Sequence, residues 1–350
     1  MAKKKVGIQL GRQAQNQAVE ERWALELEGL APVADIVEIR ADTPAEFAAG
    51  VGDMDAIITS WGLRIDQQVI SALKKAVVIG VGSVGVDMVD IAAATKAGLV
   101  VTNVPDVFIE EVADHAMMLL LDAARMTPVM AGMARRGEWY QARPIVSSRR
   151  RLLGQTLGLL AFGNVARATA RRAKAFGLHV ITYDPYVSEL KIIAEGVEPV
   201  SFHELLERSD FLSIHAPLNA ETEHALDAAA LARMKSSAIV INTARGPIID
   251  EAALIEALRN GVITAAGLDV TEHEPPAPDN PLLGMDNVVL TPHIASASSR
   301  MRPETRRRAA REVSLVLRGR WPMSCVNPTV LPRATLERWQ PYPMDRGPNR

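Results

Sequence analysis

LGLLAFGNVARATARRAKAFGLHVITYDPY, residues 157–186, reads as a strand, a tight turn, a helix and a second strand. In a dinucleotide-binding unit of this kind, the first glycine of the turn permits a sharp bend. The second lets a pyrophosphate approach the backbone, and the third lets the helix pack closely on the sheet. Those positions are Ala161, Gly163 and Ala166. Gly163 is kept where a side chain would do most harm, Ala166 is tolerated, and Ala161 is accommodated if its φ is negative. Asn164 and Val165 open the helix, whose N-terminus attracts phosphate. Asp184 follows Gly163 by 21 residues, where an acidic residue binds a ribose hydroxyl and repels a 2′-phosphate, favouring NAD over NADP. Taken alone, the stretch also suits an ordinary glycine-poor strand–turn–helix with a loop aspartate.

The same rhythm extends in both directions. VGIQL, IVEIR, AIITSW, VVIGVGSVGV and LVVTNVP alternate with helical patterns before the quoted stretch, and FLSIH, AIVINTA, AAGLDV and NVVLTPH after it. Such alternation predicts α/β architecture with doubly wound parallel sheets. Val112, Ala116, Met117, Leu120 and Ala123 recur at helical spacing and predict a long helix after Pro105. Residues 128–154 break the pattern and read as an irregular arm, with Trp139 and Tyr140 as candidates for burial against a partner. Ala170, Ala173 and Phe176 supply a helix face toward the second sheet.

With 350 residues, 48% hydrophobic and 23% charged, the chain has length and composition for two globular domains. The first apolar run is too short for a signal-peptide core or a membrane span, so a cytoplasmic protein with no membrane partner is expected. Net charge is −2, and the runs at 149–151 and 306–308 read as solvated faces; no nucleic acid is expected. The single Cys325 lacks the neighbours of a zinc site, and no metal is expected.

Three segments of the second series end in ionisable residues: INTARGPIID with Arg245, GLDVTEHEPP with Glu274, and LTPHIASAS with His293. The C-terminal ends of strands are where open α/β sheets bind ligands. An arginine grips a carboxylate, a histidine exchanges a proton near neutral pH, and a carboxylate orients that histidine. Together they suit hydride reduction of a 2-oxo acid. Singly, each also suits a plainer role: a capping arginine, a surface glutamate, a structural histidine.

These segments belong to a longer set of motifs: S-V-G-V-D at 83–87, N-V-P at 103–105, E-V-A-D-H at 111–115, G-Q-T-L-G at 154–158, Y-D-P-Y at 183–186, N-T-A-R-G at 242–246, L-D-V at 268–270, E-P-P at 274–276 and T-P-H at 291–293. With them the chain resembles, from residue 4 to about 328, the D-isomer-specific 2-hydroxyacid dehydrogenase family. N-V-P-D with E-E-V-A-D, and K-A-F-G before Y-D-P-Y, look like its C-terminal-binding-protein-like branch, which holds both bacterial dehydrogenases and NAD-sensing corepressors. The resemblance implies a Rossmann NAD-binding domain at 104–298, inserted into a flavodoxin-like substrate domain made of 1–103 and 299–350. It implies that Arg245 anchors the substrate, that His293 is the general acid/base and that Glu274 is its partner. Backbone N–H groups of Val84 and Gly85 would complete the carboxylate site. Thr243, Ala244 and Asp269 would contact the nicotinamide side of NAD, and His215, Ala216 and Pro217 would line the nucleotide cleft. A homodimer joined through nucleotide domains is also implied.

Departures from the family pattern bear on the substrate. Val81 and Met88 replace an arginine and an asparagine common around the S-V-G segment. Thr59 stands where phosphoglycerate dehydrogenases tend to carry a phosphate-binding arginine, and Glu274 where formate dehydrogenases carry glutamine. Ser296 replaces the corepressors' tryptophan. With the nearby Trp61, these features lead to the expectation of a small, unphosphorylated 2-oxo or 2-hydroxy acid. The alternative is an NAD(H)-sensing regulatory protein with little catalysis.

Overall fold

Short β-branched runs bounded by turn residues become strands, and every one of them is parallel to its neighbours. The computed structural model describes residues 3–11, 18–59, 62–147 and 149–338. The chain divides into two units: one takes in both ends of the chain, up to Val107 and from Ser298, and the other is Phe108–Ala297.

In the first unit, β1 (Lys4–Leu10), β2 (Ala34–Arg40), β3 (Ala56–Thr59), β4 (Val78–Val81) and β5 (Val100–Thr102) form a sheet in the order β2-β1-β3-β4-β5. Helices cover both faces, and so consecutive residues of a central strand are buried alike; β3 and β4 have no exposed position. The helix Met301–Leu317 returns to this unit, packing Ala309, Ala310, Val313 and Val316 on one face.

In the second unit, β6 (Thr156–Leu160), β7 (His179–Tyr183), β8 (Glu198–Pro199), β9 (Phe211–Ile214), β10 (Ile239–Asn242), β11 (Ala265–Leu268) and β12 (Val288–Leu290) lie in the order β12-β11-β10-β9-β6-β7-β8. The strand order reverses at β6, which pairs with β7 on one side and β9 on the other. A crevice for a ligand opens at such a switch point. Helix Ile109–Arg125 crosses this sheet, burying Val112, Ala116, Met117, Leu120 and Ala123 as their spacing predicts. Its close seat depends on Gly267 of β11, where a Cβ would lie 2.9 Å from Leu119 Cβ and 3.1 Å from Leu119 O.

Two sequence expectations need correction. Residues 128–154 are largely helical, as Thr127–Arg135 and Trp139–Ser147, with Pro128 in the first turn of the former. Trp139 and Tyr140 are exposed in the single chain, at 71% and 93%. Phe176 does not share the buried face of Ala170 and Ala173: helix Asn164–Ala175 ends before it, and the chain turns away through Gly177 at φ +76. Among the described residues, no single helix is long and apolar enough to cross a membrane. The helices at 109–125 and 127–135 pass that test only as a pair bent by 61°.

Gly267→Ala should lower stability by about 1–3 kcal/mol, because the added methyl meets helix backbone as well as a side chain. Thermal or urea unfolding reads this directly, and an unchanged midpoint would contradict the packing described.

Candidate active site

The turn after β6 carries the first site. Ala161 has φ +75, not the negative φ that would suit an alanine, so a left-handed residue is needed at this position and the methyl is strained there. The turn holds because it is tied on both sides. Ala161 N donates to Tyr183 O at 2.9 Å, and Phe162 N donates to Asp184 Oδ2 at 2.8 Å. Asp184 Oδ1 accepts from Tyr186 N at 2.8 Å, which fixes the carboxylate at the end of β7. An ionised carboxylate has acceptor capacity left for a ribose hydroxyl.

Gly163 has φ −75 and serves another purpose: a Cβ there would meet no atom within 4 Å. It leaves the N-terminus of the 12-residue helix uncovered, with Asn164 exposed and Val165 half-buried in its first turn. Ala166 beneath them is fully buried against the sheet. On the other side of β6, His215 N donates to Leu160 O at 2.9 Å, and the His215 ring lies 3.0 Å from Ser213 Oγ. Burial pushes the His215 imidazole down to about 4, so it is neutral at pH 7. Ala216 is buried beside it, and Pro217 continues the loop, its carbonyl accepting from Thr222 Oγ1 at 2.6 Å. At the end of β10, Thr243 Oγ1 is buried with no hydrogen-bond partner among the described residues. The bare helix end, the uncovered Gly163 and this orphaned hydroxyl together fit a dinucleotide.

A second group lies at the ends of β10, β11 and β12. Asn242, fully buried, braces the turn after β10: its Oδ1 accepts from Ala244 N at 2.9 Å and its Nδ2 donates to Arg245 O at 2.9 Å. Arg245 Nη1 donates to Ala244 O at 2.7 Å. The next residue must be glycine, because a Cβ on Gly246 would lie 1.9 Å from Thr271 O. That contact brings the arginine's turn against the loop that bears Glu274.

His293 and Glu274 meet directly. His293 Nδ1 is 2.7 Å from Glu274 Oε2, both side chains being about 30% exposed, and Glu274 Oε1 accepts from Thr271 N at 3.3 Å. An ionised carboxylate only accepts, so Nδ1 carries the hydrogen and exchange with a ligand falls to Nε2.

His293 stands at φ +52, a left-handed conformation that an ordinary residue adopts only when its surroundings impose it. Asp269 imposes it. His293 N donates to Asp269 O at 2.8 Å, and the Asp269 carboxylate accepts from Thr291 Oγ1 at 2.6 Å, Ile294 N at 2.9 Å and Ala295 N at 2.8 Å. Burial alone would raise the carboxyl's pKa; bonds from His115, Thr291 and the two amides outweigh that and hold it below its ordinary value. Expected to contact nicotinamide, this 2% exposed side chain also fastens the histidine loop. His115 and Thr291 went unassigned in the sequence, although a histidine three residues after buried Val112 on a core-facing helix was a usable signal.

In the first unit, Ser83 Oγ donates to Gly85 O at 2.6 Å and Asn103 Nδ2 donates to Val84 O at 2.7 Å. The N–H groups of Val84 and Gly85 have no partner among the described residues. Val81 and Thr59 are core residues at 0% and 1% exposure, and Met88 packs against the core. Trp61 lies outside the described residues. No cluster of three metal-ligating side chains occurs among the described residues.

Residues 117–295 match the family model described as D-isomer specific 2-hydroxyacid dehydrogenase, NAD binding domain. A glyoxylate reductase of Korarchaeum cryptofilum is 42% identical over 282 residues, which is 80% of this chain and 85% of that relative. A D-3-phosphoglycerate dehydrogenase of Methanocaldococcus jannaschii is 40% identical over 86% of this chain, but the chain spans only 57% of its length. Among solved structures, an NADPH-dependent glyoxylate/hydroxypyruvate reductase of Sinorhizobium meliloti, in complex with NADP and malonate, superposes with a TM-score of 0.80 at 31% identity. The match covers 96% of this chain and all of that one.

Ala161→Gly should raise stability by about 1 kcal/mol, the strain relieved exceeding the entropy that glycine adds to the unfolded chain. A fall in the unfolding midpoint would show that the turn is not left-handed. The unfolded His215 imidazole takes a proton near pH 6.5 and the folded one only near 4, so acid favours the unfolded chain between those values. Stability should therefore drop by up to about 3 kcal/mol on acidification through this window. Denaturant unfolding at several pH values checks it: His215→Asn should flatten the slope, and an equal slope in both proteins would refute the burial argument.

Proposed function

Because the chain belongs to the D-isomer-specific 2-hydroxyacid dehydrogenase family, we propose that it reduces a small, unphosphorylated 2-oxo acid to the D-2-hydroxy acid with NADH, and oxidises the product with NAD. The observation that carries this reading is the 2.7 Å contact between His293 Nδ1 and Glu274 Oε2 at the ligand-binding ends of the strands. A regulator that only sensed the nucleotide would have no use for an imidazole aligned in this way.

When bound, the nicotinamide supplies the hydride for reduction and accepts it in oxidation. The chain does the rest. The Arg245 guanidinium grips the substrate carboxylate and draws electron density onto the carbonyl oxygen. His293, charged at the start of reduction, gives its Nε2 proton to that oxygen as the hydride reaches the carbon. Glu274 holds the ring through Nδ1 and stabilises the imidazolium; in the oxidation direction neutral His293 takes the hydroxyl proton back. NADH, a proton and the 2-oxo acid thus become NAD and the 2-hydroxy acid.

Asp184 supports NAD over NADP, since its carboxylate stands where a 2′-phosphate would add a second negative charge. Buried Thr59 offers no cation to a substrate phosphate, which supports an unphosphorylated acid, and the Korarchaeum relative's name makes glyoxylate the first substrate to try. Exposed Trp139, Tyr140 and Leu153 support a homodimer joined through the nucleotide domain.

His293→Ala should lower kcat with glyoxylate by about 100-fold or more while NADH still binds. Steady-state kinetics with calorimetry for NADH checks both halves; retained activity, or folded protein that binds no NADH, would overturn the proposal. Asp184→Asn keeps an acceptor but removes the charge, and should raise the NADPH-to-NADH ratio of kcat/KM by about tenfold. An unchanged ratio would remove Asp184 from cofactor choice.

A further inference from the structure

Beneath the His293 loop lies a polar cluster centred on the Asp269 carboxylate. His115 projects from helix Ile109–Arg125 with its side chain only 12% exposed. Its Nε2 is 2.8 Å from Thr291 Oγ1 and 3.3 Å from Asp269 Oδ1. The Thr291 hydroxyl gives its hydrogen to Asp269 Oδ1 at 2.6 Å, so toward His115 it can only accept. That fixes the His115 tautomer with a hydrogen on Nε2, aimed at both oxygens.

We propose that His115 is a positioning residue for His293, acting through the Thr291 hydroxyl and the Asp269 carboxylate that lie against its Nε2. The inference rests on the dehydrogenase reading of the site. Three elements converge here: the helix, the end of β11 and the loop after β12. Asp269 can hold the amides of Ile294 and Ala295 only in one orientation, and those amides flank the left-handed His293. A residue at φ +52 relaxes once its restraints loosen. His115 and Thr291 supply the two side-chain donors on Oδ1, and without them only the loop's own amides orient the carboxylate. The buried Asp269 would also lose part of the hydrogen bonding that offsets its desolvation. The consequence reaches the reaction as a misdirected His293 ring and a weaker Glu274 contact, with the nucleotide turn at 161–166 untouched.

The test uses the full chain with His115→Leu, which removes the donor, and His115→Gln, which keeps one. With glyoxylate and NADH, the leucine variant should lose about tenfold in kcat while its KM and its calorimetric Kd for NADH stay near wild type. The glutamine variant should recover part of the loss. In parallel, amide hydrogen exchange at Ile294 and Ala295 should quicken about tenfold in the leucine variant, with exchange in β6 unchanged. A leucine variant with wild-type exchange at both amides overturns the proposal, as does loss of kcat and NADH affinity in proportion, which would mark His115 as merely structural. If the wild-type protein reduces no 2-oxo acid, the dehydrogenase reading fails by itself; the exchange measurement still decides whether His115 holds the loop.

Discussion

A buried carboxylate fixes the geometry on which the chemistry depends. Asp269 accepts bonds from a hydroxyl and two amides while its own carbonyl receives His293 N, and the histidine is thereby held in a conformation that costs it energy. Remove that anchor and the His293–Glu274 contact loses the loop geometry that aligns it. The hydrogen bonds are strong because the carboxylate is ionised and shielded from water, and all its donors but His115 come from the short connection after β12.

The fold supplies those rigid ends. Parallel pairing places the loops after β6, β7, β9, β10, β11 and β12 on one side of the sheet, and the reversal of order at β6 opens a crevice among them. Two glycines then set critical approaches. Gly267 lets helix Ile109–Arg125 sit close enough for His115 to reach the histidine loop, and Gly246 lets the Arg245 turn press on the Thr271 carbonyl. Packing and chemistry are coupled through backbone contacts that a single methyl would disturb.

Much of this was legible in the sequence. Gly163, Asp184, Arg245, Glu274 and His293 follow short apolar runs that alternate with helical patterns, and strand ends in α/β sheets have a fixed relation to ligands. What stayed hidden depends on tertiary context. The φ of Ala161 is set by bonds that the Ala161 and Phe162 amides donate to Tyr183 and Asp184, both more than twenty residues away. Val81 and Met88 were read as setting the substrate's polarity, but Val81 is buried in a sheet covered on both faces and Met88 packs against its core. Asp269 matched a cofactor-contacting motif, and only its hydrogen bonds reveal that its carboxylate also fastens the histidine loop. The helices within 128–154 were missed because Pro128, Gly137 and Pro144 interrupt an apolar pattern already weak for a core-facing helix.

The decisive measurement concerns the pair itself. Glu274→Gln keeps the shape of the side chain but removes the charge proposed to assist proton transfer by His293. With saturating glyoxylate and NADH, and chemistry established as rate-limiting by the effect of deuterium at the transferred position, kcat should fall by about 10–100-fold while NADH affinity is unchanged. A variant that turns over at the wild-type rate under those conditions would contradict the assignment of Glu274 and His293 as the proton-exchanging pair.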